Sequence, residues 1–231
     1  MFRKQALVSG ETYHIYNRGA HKQRIFTNAS DYSRFSLLLH LANSKTAVHL
    51  SNLLKEYQGR SSTAIFEDEK IDDRLVEILA YSLMPNHFHL VLRQKEDNGI
   101  AIFMKKLATG YSMYFNTKYE HSGTLFQGRF KSSYIDSEEY FRYIFAYVHL
   151  NPLEIFQPGW KLEGIKDKNG VRKFLLGYPY SSFADYPVGA NNRSNRHILS
   201  LENVPDFLKT QNDLEELLVW QDSKNIKDGP R

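Results

Sequence analysis

Two apolar runs separated by a Pro-Asn step constrain the fold more than any other part of this sequence. Residues 75–84 read LVEILAYSLM and residues 87–94 read HFHLVLRQ, with Pro85 and Asn86 between them. Runs of this length and composition are typical of β-strands, and Pro followed by Asn favours a tight turn. The sequence therefore predicts a β-hairpin over residues 75–94.

The patterns on either side of this hairpin alternate between strand and helix. Residues 12–19 (TYHIYNRG) alternate in polarity and end in a turn, and residues 121–135 hold another strand candidate. Apolar residues recur at helical spacing over 31–43, 99–119 and 136–152. The order β–α–β–β–α–β–α predicts an α+β fold: a ferredoxin-like antiparallel sheet with helices packed on one face.

The chain is long enough for one sizeable domain with additions to it. It has 231 residues, of which 42% are hydrophobic and 24% are charged, as expected of a folded protein. We predict a main domain over residues 1–155, interrupted by a polar surface insertion at about 44–73. Residues 156–231 are predicted to form a C-terminal extension that packs on this domain.

The composition of the chain limits the kinds of active site and the kinds of binding partner that we expect. The net charge of +4 mildly favours a polyanionic partner, and 15 Tyr and 15 Phe suit base stacking as well as a packed core. The lack of cysteine excludes disulfides, cysteine nucleophiles and cysteine-ligated zinc. No stretch approaches the roughly 20 apolar residues that span a bilayer, so we expect a cytoplasmic protein without a membrane partner.

Two histidines in the second strand of the hairpin suggest a metal site. Side chains two apart in a strand share a face, so His87 and His89 point to the same side, away from Phe88. Two imidazoles at this spacing can converge on one divalent ion. Each can equally be a histidine that hydrogen-bonds within a core, and the strand alone does not decide between these interpretations.

The helix predicted at 136–152 offers further ligands and a nucleophile. Tyr147 and Asn151 are four residues apart and share a helical face, and Pro152 is expected to disfavour helical geometry at Asn151. A divalent ion held by two imidazoles and a neutral amide would keep nearly its full charge, which suits polarisation of a phosphate. Tyr147 would then be the nucleophile. The alternative is that Tyr147 is one more aromatic residue in an aromatic-rich helix.

Four motifs in this order resemble a known family. The segments MPNHFHLVL (84–92), SGTLFQGRFKSS (122–133), YVHLNP (147–152) and YPYSSF (178–183) are similar to motifs of the REP-associated tyrosine transposases. These enzymes are a branch of the single-tyrosine HUH transposases, which are named for two histidines that flank a hydrophobic residue. The resemblance covers roughly residues 10–43 and 75–190.

The resemblance implies an activity, a cofactor and a partner. It implies a DNA transposase and single-strand endonuclease that acts next to REP-like hairpins, with Mg²⁺ or Mn²⁺ at the histidine pair. Carried over by position, His87 and His89 are metal ligands, Asn151 is the third ligand and Tyr147 attacks the phosphate to leave a 5′-phosphotyrosine. Many insertion-sequence relatives carry Gln in place of this Asn. Some relatives are homodimers, so a homodimer stays open.

Basic residues are candidates for contacts with DNA phosphates. Arg129 and Lys131 lie in the GRFKS segment, Lys105 and Lys106 lie on the long predicted helix, and Arg18 ends the first predicted strand. Phosphate contacts from such residues position a nucleic acid on a protein. A solvated charged face is the alternative, above all for the lysine pair.

Two other functions remain compatible with these residues. A metal-dependent phosphoesterase would use water in place of Tyr147 and would form no covalent adduct. A non-catalytic or domesticated protein that binds DNA hairpins would need neither the metal nor the nucleophile. The presence of all four site residues favours the transposase over this second alternative.

Overall fold

A four-stranded antiparallel sheet carries the elements of the structure. The computed structural model describes residues 6–46, 65–66, 71–186, 194–206 and 214–221. The strands are β1 (Thr12–Arg18), β2 (Val76–Met84), β3 (His87–Gln94) and β4 (Lys131–Tyr134). They lie in the order β2-β3-β1-β4, and all neighbours are antiparallel.

The helices complete the predicted order of elements. The α-helices of the described residues are α1 (Ala29–Leu41), α2 (Gly99–Tyr119), α3 (Glu138–Leu150), α4 (Leu153–Phe156), α5 (Trp160–Glu163), α6 (Lys168–Gly177) and α7 (Leu214–Gln221). The first three alternate with the strands as β1–α1–β2–β3–α2–β4–α3. The predicted α+β class and the ferredoxin-like antiparallel sheet are therefore confirmed.

Local capping sets where two of these helices begin. Asn28 and Asp31 form a capping box at the start of α1, in which each side chain accepts a hydrogen bond from the backbone of the other. At the start of α3, the Ser137 side chain accepts from the backbone N–H of Tyr140. These caps satisfy N–H groups that a helix leaves without partners in its first turn.

Helices lie on both faces of the sheet. Helices α1 and α2 pack together on the face that carries Phe88, where the ring centroids of Phe35 and Phe88 are 5.1 Å apart. Helix α3 packs against β2 and β3 on the opposite face, where Tyr147 meets His89 with ring centroids 5.3 Å apart. The prediction of helices packed on one face of the sheet thus holds for α1 and α2. Helix α3 forms a second layer on the opposite face.

The predicted turn between β2 and β3 is present, and backbone hydrogen bonds from the segment after β1 hold it in place. Strand pairing runs to Met84 opposite His87. The carbonyl of Pro85 accepts from the backbone N–H groups of Ile25 and Phe26 at 2.9 and 3.0 Å, and the carbonyl of Asn86 accepts from Gly19 at 2.8 Å. These bonds fix the position of the first residue of β3.

Segments after α3 run along the outer edge of β2. The backbone N–H of Leu83 donates to Tyr180 at 2.8 Å, and that of Ser182 donates to Tyr81 at 3.0 Å. Farther on, the N–H of Ser200 donates to Ile78 at 3.0 Å. Backbone groups at an open strand edge are therefore paired by the C-terminal part of the chain.

The predicted insertion at 44–73 lies mostly outside the described residues, and so does the helix candidate within it. Among its described residues, Lys45, Thr46, Asp72 and Asp73 are exposed, as expected of a surface excursion. Ile65 and Phe66 are buried, and the ring of Phe66 lies 5.3 Å from that of His40 on α1. Within the described part of the chain, no helix is both long and apolar enough to cross a membrane.

Candidate active site

The histidine pair lies at the start of β3, next to the anchored turn. His87 and His89 share one face of the strand, as predicted, and their ring centroids are 5.0 Å apart with the rings almost perpendicular. His87 is partly buried and His89 is buried. Because α3 covers this face, the imidazoles lie between the sheet and the helix and not in open solvent.

Each of the two imidazoles is held at its Nδ1 atom. Nδ1 of His87 lies 2.7 Å from the side-chain oxygen of Asn86, and Nδ1 of His89 lies 2.9 Å from Nε2 of His14. A histidine that binds a metal through one ring nitrogen commonly has its other nitrogen fixed in this way. The arrangement leaves Nε2 as the candidate ligand atom on both rings.

Helix α3 brings the tyrosine and the amide to the same place. Oδ1 of Asn151 lies 3.4 Å from Nε2 of His87, and the Tyr147 ring lies edge-on to His89. The expected loss of helical geometry at Asn151 is wrong, because its φ and ψ are −53° and −41°. Its side-chain amide donates to the Tyr147 carbonyl at 3.2 Å, so the last turn holds the amide in place.

Burial governs the electrostatics of the histidines. It lowers the pKa of His87, that of His89 well below its ordinary value, and that of His14 to about 3. All three are therefore neutral near pH 7, and a metal ligand must be neutral imidazole. Positive charge on Lys161 adds to the lowering of the pKa of His87 and of His89.

The phenol of Tyr147 is not activated by the protein alone. Burial raises its pKa above the ordinary value, while a hydrogen bond with the Asn151 side chain opposes this shift. A phenol that stays protonated at neutral pH is a poor nucleophile. The site therefore needs a cation near the reacting oxygen if Tyr147 is to attack.

The donor atoms present fit a divalent ion that accepts both nitrogen and oxygen ligands. Among the described residues, no three His, Cys, Asp or Glu side chains are grouped so that they could hold a metal. Asn151, whose side-chain oxygen lies 3.4 Å from Nε2 of His87, is the candidate for a third protein ligand. Two imidazoles and one amide oxygen leave positions open for water or phosphate oxygens, as Mg²⁺ and Mn²⁺ sites do.

Sequence reasoning missed three residues of this site. His14 and Tyr16 project from β1 toward His89, with ring centroids 5.1 and 5.8 Å from it. Lys161 of α5 places its Nζ atom 4.9 Å from the centroid of the Tyr147 ring. The alternation of TYHIYNR could have placed His14 and Tyr16 on one face of β1, but no local pattern indicates Lys161.

The predicted DNA-binding residues fall into two groups. Arg18 and Lys131 lie on the same face as the histidines, since Arg18 pairs in register with His87 and Lys131 pairs with Tyr16. Arg129 is exposed just before β4.

The lysine pair is located elsewhere. Lys105 and Lys106 are on α2, which packs on the other face of the sheet. Lys106 donates to the backbone carbonyls of Ser44 and Thr46 at 2.6 and 2.9 Å. Its ammonium thus ties α2 to the segment that follows α1.

The other aromatic residues considered as site candidates contact groups other than His87 and His89. Tyr111 donates to the Ile25 carbonyl on the α2 side, and Tyr143 stacks on Tyr147 with centroids 6.3 Å apart. His149 is buried and bonds to Ser182 at 2.7 Å. Its ring therefore points away from His87 and His89, as the helical spacing predicts.

Comparison with known proteins gives one family match. The model of the family described as "Transposase IS200 like" matches residues 68–151, about a third of the chain. This segment carries the two histidines, Tyr147 and Asn151. The resemblance to tyrosine transposases drawn from the motifs is confirmed, since residues 68–151 are similar to the IS200-like transposases.

Solved structures give further similarities. A REP-associated tyrosine transposase bound to a REP hairpin is 14% identical, with a TM-score of 0.47 over 84% of this chain and 97% of that one. A candidate transposase from Deinococcus radiodurans is 15% identical, with a TM-score of 0.34 over 64% of this chain and 95% of that one. No curated protein matches the sequence significantly.

Proposed function

We propose that this protein cleaves and rejoins single-stranded DNA next to hairpins by metal-assisted transesterification through Tyr147. The observation that carries the proposal is the convergence of two imidazoles, one amide and one phenol from β3 and α3 of a single chain. The family match supports a DNA-processing enzyme of the transposase class. The four motifs shared with the REP-associated branch support a hairpin as the feature recognised.

His87, His89 and Asn151 would hold Mg²⁺ or Mn²⁺. A bound divalent ion supplies a Lewis acid that polarises the scissile phosphate. Asn86 and His14 keep the two rings in orientation, because each occupies the Nδ1 atom that does not bind. No carboxylate is among these groups, so the site keeps a net positive charge toward an anionic substrate.

Tyr147 would perform the covalent step. Its Oη atom forms a bond to phosphorus as the bond from phosphorus to the 3′ oxygen breaks. The phenol loses its proton to solvent and the departing 3′ oxygen takes one up, so charge and protons balance. The product is a 5′-phosphotyrosine and a free 3′-OH, and a later 3′-OH can reverse the reaction without an external energy source because the diester is conserved.

Covalent capture tests the proposal. The wild-type protein is incubated with Mn²⁺ and a 3′-labelled single-stranded oligonucleotide that carries a stem-loop, and adducts are resolved under denaturing conditions. Wild type is expected to retain the label and Tyr147→Phe to lose it, while both bind the stem-loop. Tyr143→Phe, one helical turn away, is the matched control and is expected to form the adduct.

The alternatives predict different results. Cleavage without any adduct would indicate a phosphoesterase that uses water. Stem-loop binding with neither cleavage nor adduct, under Mg²⁺ and under Mn²⁺, would indicate a binding protein. An adduct that persists in Tyr147→Phe would refute the assignment of the nucleophile.

A further inference from the structure

Lys161 reaches the candidate site from the part of the chain that follows the family match. It is the second residue of α5, ten residues beyond the end of the matched segment. The neighbouring Trp160 is buried and anchors the short helix in the core. The exposed lysine then places Nζ 4.9 Å from the centroid of the Tyr147 ring.

The charge of Lys161 is not neutralised by an ion pair in the described part of the chain. No described carboxylate lies within 4.0 Å of its ammonium group, whereas Lys166, five residues later, pairs with Glu163 at 2.5 Å. Its field also reaches both histidines. A phosphate that approaches Tyr147 would therefore meet, beside the phenol ring, a cation that has no ion-pair partner among the described residues.

We infer that Lys161 is a further catalytic residue, whose ammonium contacts the scissile phosphate and stabilises the negative charge that develops as Tyr147 attacks. The inference rests on the proposed function. Negative charge builds on the phosphoryl oxygens while the bond from Tyr147 Oη to phosphorus forms and the bond to the 3′ oxygen breaks. A cation already in position stabilises this charge without reorganisation at the moment of reaction. Lys161 stays protonated throughout and exchanges no proton.

The alternative is that Lys161 only packs on an aromatic ring. A cation near a tyrosine face contributes about 0.5–1 kcal/mol at an exposed site, which is a stability effect without consequence for catalysis. The two roles separate experimentally. A packing role alters the free energy of unfolding, whereas a catalytic role alters the rate of adduct formation and gives the lysine a DNA contact.

Three variants of the full chain test the inference. Lys161→Met removes the charge and keeps most of the side-chain volume, Lys161→Arg keeps the charge, and Lys166→Met makes the same change at a nearby lysine. Single-turnover adduct formation on the 3′-labelled stem-loop oligonucleotide is measured with saturating protein. We expect Lys161→Met to be slower by on the order of 10- to 100-fold, with the other two within a few-fold of wild type.

A second readout does not depend on turnover. Lysine acetylation, followed by mass spectrometry, is measured with Tyr147→Phe protein in the presence and absence of the oligonucleotide. Bound DNA is expected to protect Lys161 and to leave Lys166 accessible. The Mn²⁺ affinity of Lys161→Met is expected to be at least that of wild type, since the metal ligands are unchanged and a positive charge near them is removed.

The outcomes distinguish this inference from the proposed function. If wild type forms adducts and Lys161→Met forms them at the same rate, the inference is wrong and the proposed function stands. Equal acetylation of Lys161 with and without DNA would also overturn it. If wild type forms no adduct, the proposed function fails, and protection of Lys161 alone would then indicate only a DNA contact.

Discussion

Nε2 of His14 on β1 lies 2.9 Å from Nδ1 of His89 on β3, and both rings are buried. For His89 to bind a metal through Nε2, its Nδ1 must carry the hydrogen and donate it to His14. His14 then holds its own hydrogen on Nδ1, an atom for which the described part of the structure offers no hydrogen-bond partner. In the opposite tautomer, Nε2 of His14 donates to Nδ1 of His89. His89 then carries its hydrogen on Nε2, which prevents this atom from binding a metal. The orientation of His89, a proposed metal ligand, therefore depends on a histidine outside the segment His87-Phe88-His89.

Removal of His14 is expected to weaken metal binding. His14→Ala frees Nδ1 of His89 and lets that ring rotate, so the Mn²⁺ affinity should fall by roughly 10- to 100-fold. Isothermal titration calorimetry measures this directly and needs no DNA. His149→Ala is the matched control, because it deletes a histidine that is equally buried but bonds to Ser182. An unchanged Mn²⁺ affinity in His14→Ala would contradict the positioning role.

Replacement of the amide ligand should separate affinity from rate. Asn151→Asp keeps the length of the side chain and turns a neutral oxygen ligand into an anionic one. We expect Mn²⁺ to bind more tightly, and adduct formation to slow by on the order of tenfold, because the added charge repels the phosphate and reduces the positive charge that polarises it. Calorimetry and covalent capture give the two quantities. A variant with weaker Mn²⁺ binding would indicate that Asn151 is not a ligand.

Periodic and short-range features of the sequence predict most of this architecture. The alternation of β3 predicts that His87 and His89 share a face, and helical spacing predicts that Tyr147 and Asn151 do. Both depend only on backbone geometry. The helical conformation of Asn151 was not predicted, because Pro152 disfavours it locally while the bonds to Tyr147 maintain it.

Contacts between distant segments explain what the sequence does not reveal. Lys161 reaches Tyr147 only because Trp160 is buried and fixes α5 against the rest of the fold. Lys106, a predicted phosphate contact, donates to carbonyls more than 60 residues before it. The burial of Phe66 against His40 likewise arises from tertiary packing, within a segment whose polar composition predicts a surface excursion.

Tyr16 also lies near His89, so a substitution there tests whether proximity to the histidines is enough to make a tyrosine the nucleophile. It is a second phenol near His89, and its pKa is raised by burial and by Tyr147. At Tyr147 the Asn151 side chain opposes the rise in the pKa, and the Lys161 ammonium lies 4.9 Å from the centroid of the ring. We expect Tyr16→Phe to form the adduct within a few-fold of the wild-type rate. Peptide mapping of the adduct should locate the nucleotide on Tyr147, and its recovery on Tyr16 would overturn this choice.

The two groups of basic residues should differ in DNA binding. Arg18 and Lys131 share the face of the candidate site, so each charge removed there should cost one phosphate contact. For Lys131→Ala, the slope of log affinity against log salt concentration should become less steep by about 0.7, which is the contribution of one phosphate contact to a single strand. Lys105→Ala, on the α2 side of the sheet, is expected to change neither slope nor affinity. Fluorescence anisotropy from 50 to 300 mM salt would check this, and equal slopes in both variants would contradict it.

Buried histidines should make the fold sensitive to acid. Burial lowers the pKa of His149 to about 3, against about 6.5 for the unfolded chain. Between these values the unfolded state binds more protons, so the free energy of unfolding falls as the pH falls below 6.5, by about 1.4 kcal/mol per pH unit for one such group. His149→Gln cannot titrate and keeps a polar group near Ser182. Between pH 5 and 6, the free energy of unfolding measured with urea should therefore fall less for His149→Gln than for wild type. The difference between the two slopes should be about 1.4 kcal/mol per pH unit. His121→Gln, a change at a partly exposed histidine, serves as the control, and an identical pH dependence in wild type and His149→Gln would show that His149 is not held neutral.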